Sequence, residues 1–266
     1  MSTNAATERV RIAGLYRYPV KGLTPEALQR VQLTPDETLP FDRAFAIEVG
    51  AHAFDPENPS HLRKNSFLML MRDERLALLR SRFDSETGIL TIMRDGKQVV
   101  RGDLGQPIGR QTLEQFFAAF MASEAHGIPR LVQAPGHSFS DVAAKVVSII
   151  NLATVRELER VIGRPVDPLR FRANIYVEGL AAWAEFDWVD CEIACGESAL
   201  VTVFKRIQRC AATNVDPATG ARDLKIPRTL SDVFGHYDCG VYARVAAGGE
   251  ISVGQALAPV PKPADG

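Results

Sequence analysis

Short runs of alternating apolar and polar residues constrain the fold of this chain more than any other feature. In residues 8–18 the apolar positions share one parity: Val10, Ile12, Tyr16 and Tyr18. Such alternation is typical of a strand with one buried face. Two later runs are joined by Asp95-Gly96, a dipeptide that strongly favours a tight hairpin. About ten short strands are predicted in this way, most of them in meanders.

Three amphipathic helices are predicted between the strands. Capping boxes at Thr112 and Gln115 and at Thr154 and Glu157 would begin the first two helices. The third helix is predicted over Ile226–Phe234. Few helices among many strands in meanders favour an α+β fold that is predominantly β and barrel-like, rather than a parallel βαβ fold.

Glycines are predicted to form turns rather than a phosphate-binding loop. Gly102, Gly105 and Gly109 lack the Gly-Lys-Ser/Thr of a Walker loop, so all three are interpreted as turn residues. Near the end of the chain, residues 240–245 and 250–253 are joined by Ala-Gly-Gly, and this pattern predicts a closing hairpin.

Composition excludes several classes of partner. The formal net charge of -1 provides no overall field toward nucleic acid or an anionic membrane, so neither is expected as a partner. The sequence contains no run of about 18 apolar residues, so no membrane-spanning helix is predicted. The first residues lack the apolar core of a signal peptide, which favours a cytoplasmic location. With 266 residues, the chain could form one large domain or two smaller ones.

The run from Ala199 to Asp223 carries the sharpest chemical signal. A β-rich segment leads to Cys210 at the start of a turn-rich loop, and Arg206 and Arg209 stand just before the cysteine. Cationic neighbours favour the thiolate form of a cysteine, which attacks electrophiles and binds soft metals. Taken alone, Cys210 could equally be a buried structural cysteine, because free cysteines are among the most buried residues.

The other cysteines permit a zinc site as an alternative. Cys191-x3-Cys195 is followed by Cys210 and by His236-x2-Cys239, but the paired Cys-x2-Cys knuckles of zinc ribbons are absent.

The segment Arg170 to Gly179 is predicted to be a strand. Alternation would place Arg170, Arg172 and Asn174 on one face, where guanidinium groups could bind a phosphate. The alternative is a solvated outer face of an antiparallel strand.

Several motifs together resemble one known family. They are Tyr18-Pro-Val-Lys21-Gly22, Asp42-Arg43-Ala-Phe45, Phe139-Ser140-Asp141, Phe171-Arg172-Ala-Asn174, Arg209-Cys210-Ala-Ala-Thr213-Asn214, Gly240-Val-Tyr-Ala243 and Ile251-x-Val-Gly254. The first two motifs resemble the MOSC N-terminal β-barrel domain, and the others resemble the MOSC domain, named for the C-terminal part of molybdenum cofactor sulfurase. The resemblance implies an N-terminal β-barrel domain over residues 9–126, a barrel-like MOSC domain over 127–258 and a few flanking helices.

The resemblance also implies a cofactor site. In the family, the matching cysteine ligates molybdenum of a pyranopterin, the molybdenum cofactor, so Cys210 would be both the catalytic residue and the metal ligand. The remaining residues that the resemblance assigns to cofactor binding are Lys21, Arg43, Ser140, Asp141, Arg172, Asn174, Arg209, Thr213 and Asn214. Pyridoxal phosphate binding is a further label that the family carries.

In layout the chain resembles the mitochondrial amidoxime-reducing component and its bacterial counterparts. This resemblance implies reduction of N-hydroxylated or other N-oxygenated small molecules. Because no second cysteine cluster could hold an iron–sulfur centre, electrons are expected from a separate donor protein, ferredoxin-like or cytochrome b5-like. Two alternatives stay open: a carrier of sulfur or cofactor acting through Cys210 without turnover, and a related barrel that has lost the cofactor.

The chain departs from the amidoxime reducers at two places. Gly22 stands where they carry a serine, and residues 63–66 read Arg-Lys-Asn-Ser instead of a more usual Arg-Gln-x-Pro.

Overall fold

The computed structural model describes residues 9–124 and 127–261. These residues form fifteen strands: β1 Arg11–Arg17, β2 Glu26–Leu28, β3 Arg30–Leu33, β4 Ala46–Glu48, β5 Arg80–Asp84, β6 Ile89–Arg94, β7 Lys97–Asp103, β8 Arg130–Val132, β9 Val147–Asn151, β10 Ile175–Glu178, β11 Glu192–Cys195, β12 Ala199–Gln208, β13 Asp238–Ala247, β14 Gly249–Ser252 and β15 Leu257–Pro259. They also form three α-helices: α1 Pro107–Phe120, α2 Leu152–Ile162 and α3 Ile226–Phe234. The prediction of a predominantly β, α+β fold is confirmed.

The largest sheet has eight strands in the order β15-β11-β12-β13-β9-β10-β1-β2. Its neighbouring strands are antiparallel except for the parallel pair β9 and β10. Although β1 is the first strand of the chain, it pairs with β10 of the second half. The sheet therefore joins the two halves of the molecule, and its apolar face forms one hydrophobic core.

A second core lies in the first half of the chain, where β5, β6 and β7 form a meander. The hairpin predicted at Asp95-Gly96 is confirmed: β6 and β7 pair up to Arg94 and Lys97. Asp95 and Gly96 have φ of 51° and 74°, the positive values that a two-residue hairpin turn favours.

Helix α1 begins earlier than its predicted capping box. Thr112 lies inside the helix, where its hydroxyl donates to the Ile108 carbonyl at 2.8 Å. The turn interpretation of Gly102 and Gly109 was wrong, because they let α1 approach β7 closely. A Cβ at Gly102 would lie 2.4 Å from the Gly109 carbonyl oxygen.

Helix α2 is also capped differently from the prediction. Its N-cap is Asn151, whose side chain accepts from the Ala153 N–H at 3.0 Å. Thr154 is buried within the helix and donates to the buried carboxylate of Glu185 instead. The Thr154 hydroxyl, which a capping box would use, therefore binds a buried residue far along the chain. Helix α3 has the predicted bounds.

The predicted strand Arg170–Gly179 was wrong in its first half. Pro168–Phe171 is a 3-10 turn, which Asp167 caps by accepting from the Leu169 N–H at 2.8 Å. Arg172 follows in the left-handed region with φ of 53°, and only Ile175–Glu178 is a strand. Proline in the first turn and the aspartate cap before it favour this turn over an extended chain.

The predicted closing hairpin was wrong as well. Strand β13 pairs with β12 and β9, so both of its edges are occupied. Strand β14 pairs instead with β3, with the buried side chains of Ile251 and Val31 opposite each other.

Across the described ranges, no helix combines the length and apolar character needed to cross a membrane.

Candidate functional site

A cavity of about 120 Å³ lies between the two halves of the chain. Nearly all of the predicted site residues line it, and they come from five loops: Lys21, Arg43, Ser140, Asp141, Arg172, Asn174, Arg209, Cys210 and Thr213. Asn214 is the predicted residue that does not line the cavity. The fold thus brings together residues that are widely separated in the sequence.

Cys210 is partly exposed and directly precedes the 3-10 turn Ala211–Asn214. Its carbonyl accepts two hydrogen bonds from Thr213, from the N–H at 3.1 Å and from the hydroxyl at 2.9 Å. Thr213 is buried, so these bonds anchor the backbone that carries the thiol.

Lys21 and Asp141 form a pair at the cavity wall. The buried Lys21 ammonium donates to the Phe139 carbonyl at 2.8 Å and to the Asp141 carboxylate at 2.5 Å. Burial lowers the pKa of Lys21 despite the attraction of Asp141. Burial would raise the pKa of Asp141, but Lys21 and then Arg43 outweigh it and lower this pKa to about 2. The Asp141 carboxyl group is therefore ionised at neutral pH.

Arg43 and Arg172 lie against the ring of the buried Tyr18. Their guanidinium carbons lie 4.6 and 4.3 Å from the ring centroid. The Arg43 guanidinium pairs with Asp42 and donates to the Arg172 carbonyl at 2.8 Å. Arg172 donates to the Leu23 carbonyl, also at 2.8 Å.

The two arginines differ in charge compensation. Burial alone would lower the pKa of Arg43, but the Asp42 carboxylate raises it above its ordinary value. Burial, together with the like charge of Arg43, lowers the pKa of Arg172 to about 10. In the described part of the chain, Arg172 forms no salt bridge. Arg172 is thus a desolvated cation with no carboxylate bound to it.

Arg209 is likewise held by backbone carbonyls. Its guanidinium donates to the Cys239 carbonyl from Nε at 2.7 Å and to the Phe171 carbonyl from Nη1 at 3.1 Å. Its ring contact is with Phe171, at 5.4 Å. No carboxylate of residues 9–124 or 127–261 pairs with it. Carbonyl dipoles orient Arg209 without neutralising it, which leaves its charge available to an anion.

The two asparagines are occupied within the protein. The Asn174 Oδ1 accepts from the Ser148 N–H and hydroxyl at 3.1 and 2.9 Å, and its Nδ2 donates to the Tyr16 carbonyl at 3.2 Å. The Asn214 Oδ1 accepts from the Ile226 N–H at 2.9 Å, at the start of α3. Asn174 therefore positions neighbouring strands at the cavity, whereas Asn214 joins the Cys210 loop to α3.

Sequence reasoning did not assign Asp42, Tyr18 or Tyr242 to the site. Asp42 is buried, pairs with Arg43 and also accepts from the Tyr18 N–H at 2.8 Å. Tyr242 lines the cavity from β13. The adjacency of Asp42 to Arg43 was the available signal. Tyr18 and Tyr242 stand within motifs that resemble the family, but by alternation each reads as an ordinary strand residue.

A second, more open cavity of about 590 Å³ adjoins the first. The residues that line both are Lys64, Met69, Met71, Asp141, Gln208, Cys210 and Tyr242. Cys210 therefore lies at the boundary between a small inner cavity and a larger outer one.

The four cysteines do not assemble into a zinc site. Within the described ranges, no group of three or more His, Cys, Asp and Glu side chains could hold a metal ion. Cys195 and Cys239 are buried in separate hydrophobic clusters, and burial raises the pKa of each to about 12.

Solved structures offer distant likenesses. The YUAD protein from Bacillus subtilis is 11% identical over 93% of each chain, with a TM-score of 0.43. YiiM from Geobacillus stearothermophilus is 23% identical over 45% of this chain and 56% of its own, with a TM-score of 0.35. YiiM from Escherichia coli is 21% identical over the same shares, with a TM-score of 0.34. This chain thus spans little more than half of the YiiM chains.

Family models match almost the whole sequence. Residues 9–126 match the MOSC N-terminal beta barrel domain, and residues 130–258 match the MOSC domain. No curated protein matches the chain. MOSC domains are associated, at the level of the family, with the molybdenum cofactor. Since the two models follow one another along nearly the entire sequence, the chain belongs to the MOSC family.

Proposed function

We propose that this protein binds the molybdenum cofactor and reduces N-oxygenated small molecules, such as hydroxylamines or amidoximes. The observation that supports the proposal is Cys210 at the edge of a cavity whose cations outnumber its carboxylates. Six cationic side chains line the inner cavity, against two carboxylates, Asp42 and Asp141. Electrons would come from a separate donor protein, ferredoxin-like or cytochrome b5-like.

The donor set fits a phosphate-bearing pterin. Arg172 and Arg209 are oriented by backbone carbonyls and have no carboxylate partner in the described residues, so an anion would be their first full counter-charge. Guanidinium groups bind phosphate oxygens in a bidentate manner. A cysteine thiolate is a soft ligand of the kind that suits a transition metal. The inner cavity alone is small, but the outer cavity continues it at Cys210.

Each residue would have a definite task. Lys21, Arg172 and Arg209 would hold the anionic part of the cofactor, and Cys210 would ligate the metal. Asp42 keeps Arg43 against Tyr18, and Thr213 fixes the backbone of Cys210. Once bound, the cofactor would supply the redox chemistry, namely acceptance of oxygen from the substrate. Pyridoxal phosphate stays an expectation from the family label alone; Lys21, a lysine at this cavity, already donates to Phe139 and Asp141.

The test is the molybdenum content of protein purified from a host that makes the cofactor. Wild type and Cys210→Ala are compared, with Cys191→Ala as a matched control because Cys191 is partly exposed but lines neither cavity. We expect stoichiometric molybdenum in wild type and Cys191→Ala and its loss in Cys210→Ala. Wild type without molybdenum would contradict the proposal.

Turnover is then measured with benzamidoxime and an artificial electron donor. Reduction by loaded wild type is expected. Loaded but inert protein would instead favour a carrier of sulfur or cofactor, and a persulfide on Cys210 in the intact mass would add to that alternative.

A further inference from the structure

The outer cavity combines two basic segments from opposite halves of the chain. His61, Arg63, Lys64 and Asn65 line it from a loop of the first half, and Lys205, Arg206 and Gln208 line it from β12. With a volume of about 590 Å³, it lies within the range of small-molecule sites. Since Cys210 and Tyr242 border both cavities, a molecule in the outer cavity would lie beside the thiol.

The charges of this cavity are strongly unbalanced. Its cations are Arg63, Lys64, Lys205 and Arg206, and its carboxylate is Asp141, which Lys21 already binds at 2.5 Å. Across residues 9–124 and 127–261, none of these four cations forms a salt bridge. All four residues line one volume.

A β-bulge accounts for the placement of Lys205. The pairing of β12 with β13 shifts register between Val203 and Lys205, so that Lys205 lies opposite Tyr242, which lines both cavities. Residues directly opposite each other in an antiparallel pair share a face, so the exposed Lys205 lies on the cavity side of the sheet. Such bulges reorient side chains, and they are frequent next to active sites.

Arg206 lies on the other face of β12, opposite the buried Val241. Its guanidinium carbon lies 4.3 Å from the centroid of the Phe186 ring, which belongs to the core under the large sheet and lines neither cavity. Lys205 is therefore the cation that β12 places beside Tyr242.

The rest of the lining is apolar or aromatic: Met69, Met71, Val142 and Tyr242. This surface suits the body of an organic molecule, whereas the basic rim suits a negative charge at its end.

We propose that the outer cavity binds a carboxylate or phosphate group of the substrate, so that the protein prefers N-oxygenated compounds that carry an anionic group remote from the reacting nitrogen. Arg63 and Lys205 would bind the anion, and the apolar lining would contact the body of the molecule. The proposal rests on the function proposed above and specifies its substrate class.

The experiment uses three benzamidoximes that differ in charge: the 4-carboxy, the unsubstituted and the 4-aminomethyl compound. Dissociation constants are measured calorimetrically on the molybdenum-loaded protein, and KM is measured in parallel. We expect the 4-carboxy compound to bind at least about tenfold more tightly than the neutral one, because hydrogen bonds to charged groups are stronger than those between neutral groups. The 4-aminomethyl compound should bind most weakly, and high salt should reduce the differences.

Variants locate the effect. Arg63→Gln and Lys205→Gln should each reduce the preference for the 4-carboxy compound several-fold, and the double variant should abolish it. Arg101→Gln is the matched control, because Arg101 is exposed on β7 and lines neither cavity. Competition by benzoate and by phenyl phosphate then distinguishes the two anion chemistries, and stronger competition by either supports the proposal.

Clear outcomes would overturn the proposal: equal binding of the three compounds, or a carboxylate preference that survives in the double variant. Loss of turnover only with a protein donor, with the preference intact, would assign the basic rim to the donor and overturn it too. Measurements on metal-free protein separate a failure of the anion site from a failure of the proposed function. If no molybdenum binds, the proposed function fails, yet benzoate binding to wild type and the double variant still tests the anion site.

Discussion

Arg170 and Arg172 both line the inner cavity, yet they belong to regions with different tasks. Arg170 is buried and forms salt bridges with Asp216 at 2.9 Å and Asp223 at 2.8 Å. We call this trio the loop clamp, since both carboxylates lie in the segment that follows Cys210. Arg172 belongs with Lys21, Arg43 and Arg209, which we call the cation cradle. Arg172 donates to a backbone carbonyl and has no carboxylate bound to it in the described residues.

Charge compensation thus distinguishes arginines that stabilise the fold from arginines that are available to bind an anion. A buried cation that is matched by carboxylates holds its surroundings together, and its removal leaves uncompensated charges. A buried cation without such a match destabilises the protein when no ligand is bound, and a bound anion offsets this destabilisation. The loop clamp should therefore govern folding, whereas Arg172 and Arg209 should govern affinity for an anion.

The largest expected effect comes from breaking the loop clamp. Arg170→Met should lower the free energy of unfolding by about 3 kcal/mol, at the lower end for a broken buried pair because Asp216 and Asp223 are partly exposed. Urea denaturation measures the change. The triple variant Arg170→Met/Asp216→Asn/Asp223→Asn should recover part of the loss, since it removes the orphaned charges.

Arg172→Met provides the other side of this comparison. Its effect on unfolding should stay within about 1 kcal/mol, because the lost hydrogen bond to Leu23 offsets the relief from a desolvated charge. Phosphate binding by the metal-free protein should weaken markedly. If Arg172→Met destabilised the protein as much as Arg170→Met does, the distinction between clamp and cradle would be wrong.

An effect on stability smaller than that of Arg170→Met is expected at Gly22, next to Lys21 of the cradle. Gly22 has φ of 85°, and a Cβ there would lie 3.0 Å from the Leu68 carbonyl oxygen. Gly22→Ser, the residue of the amidoxime reducers, should cost about 1–2 kcal/mol of stability through the left-handed backbone alone. Gly50→Ser is the matched control, since Gly50 has φ of 84° and no atom within 4 Å of a Cβ. Thermal unfolding of both variants separates the steric contribution of the Leu68 carbonyl from the cost of the backbone conformation. Equal losses of stability in the two variants would show that the Leu68 carbonyl moves aside at little cost.

The smallest effect concerns the pH dependence of the Lys21–Asp141 pair. The pKa of Asp141 is lowered from 3.8 to about 2, so the pair stabilises the fold above pH 3.8 and loses this contribution as pH falls toward 2. The difference in stability between wild type and Asp141→Asn should therefore shrink over this window. The effect should be modest, because 52% of the Asp141 side chain is exposed. Chemical denaturation at several pH values measures it, and a constant difference would refute the linkage.

Much of the fold could be predicted because its signals are local. The Asp95-Gly96 hairpin, helix α3 and the alternation of Val201 and Val203 in β12 depend on neighbours within a few residues. The failures share a physical cause. Thr154 binds the distant Glu185 instead of capping its helix. Strand β14 pairs with β3 because both edges of β13 are already paired. Long-range partners override local preferences, and a single sequence carries no direct record of them.

The sequence by itself determined that a cysteine follows a strand among basic residues, and that its motifs are those of the MOSC family. The tertiary structure alone decided which cations are matched. Lys21 meets Asp141 across 120 positions of chain, and Arg43 reaches the Arg172 carbonyl across 129. Charge compensation depends on distance in space and on burial, both of which arise only when the halves of the chain pack together. That packing, together with the bulge in β12, brings basic residues that are scattered in the sequence to an inner and an outer cavity on either side of Cys210.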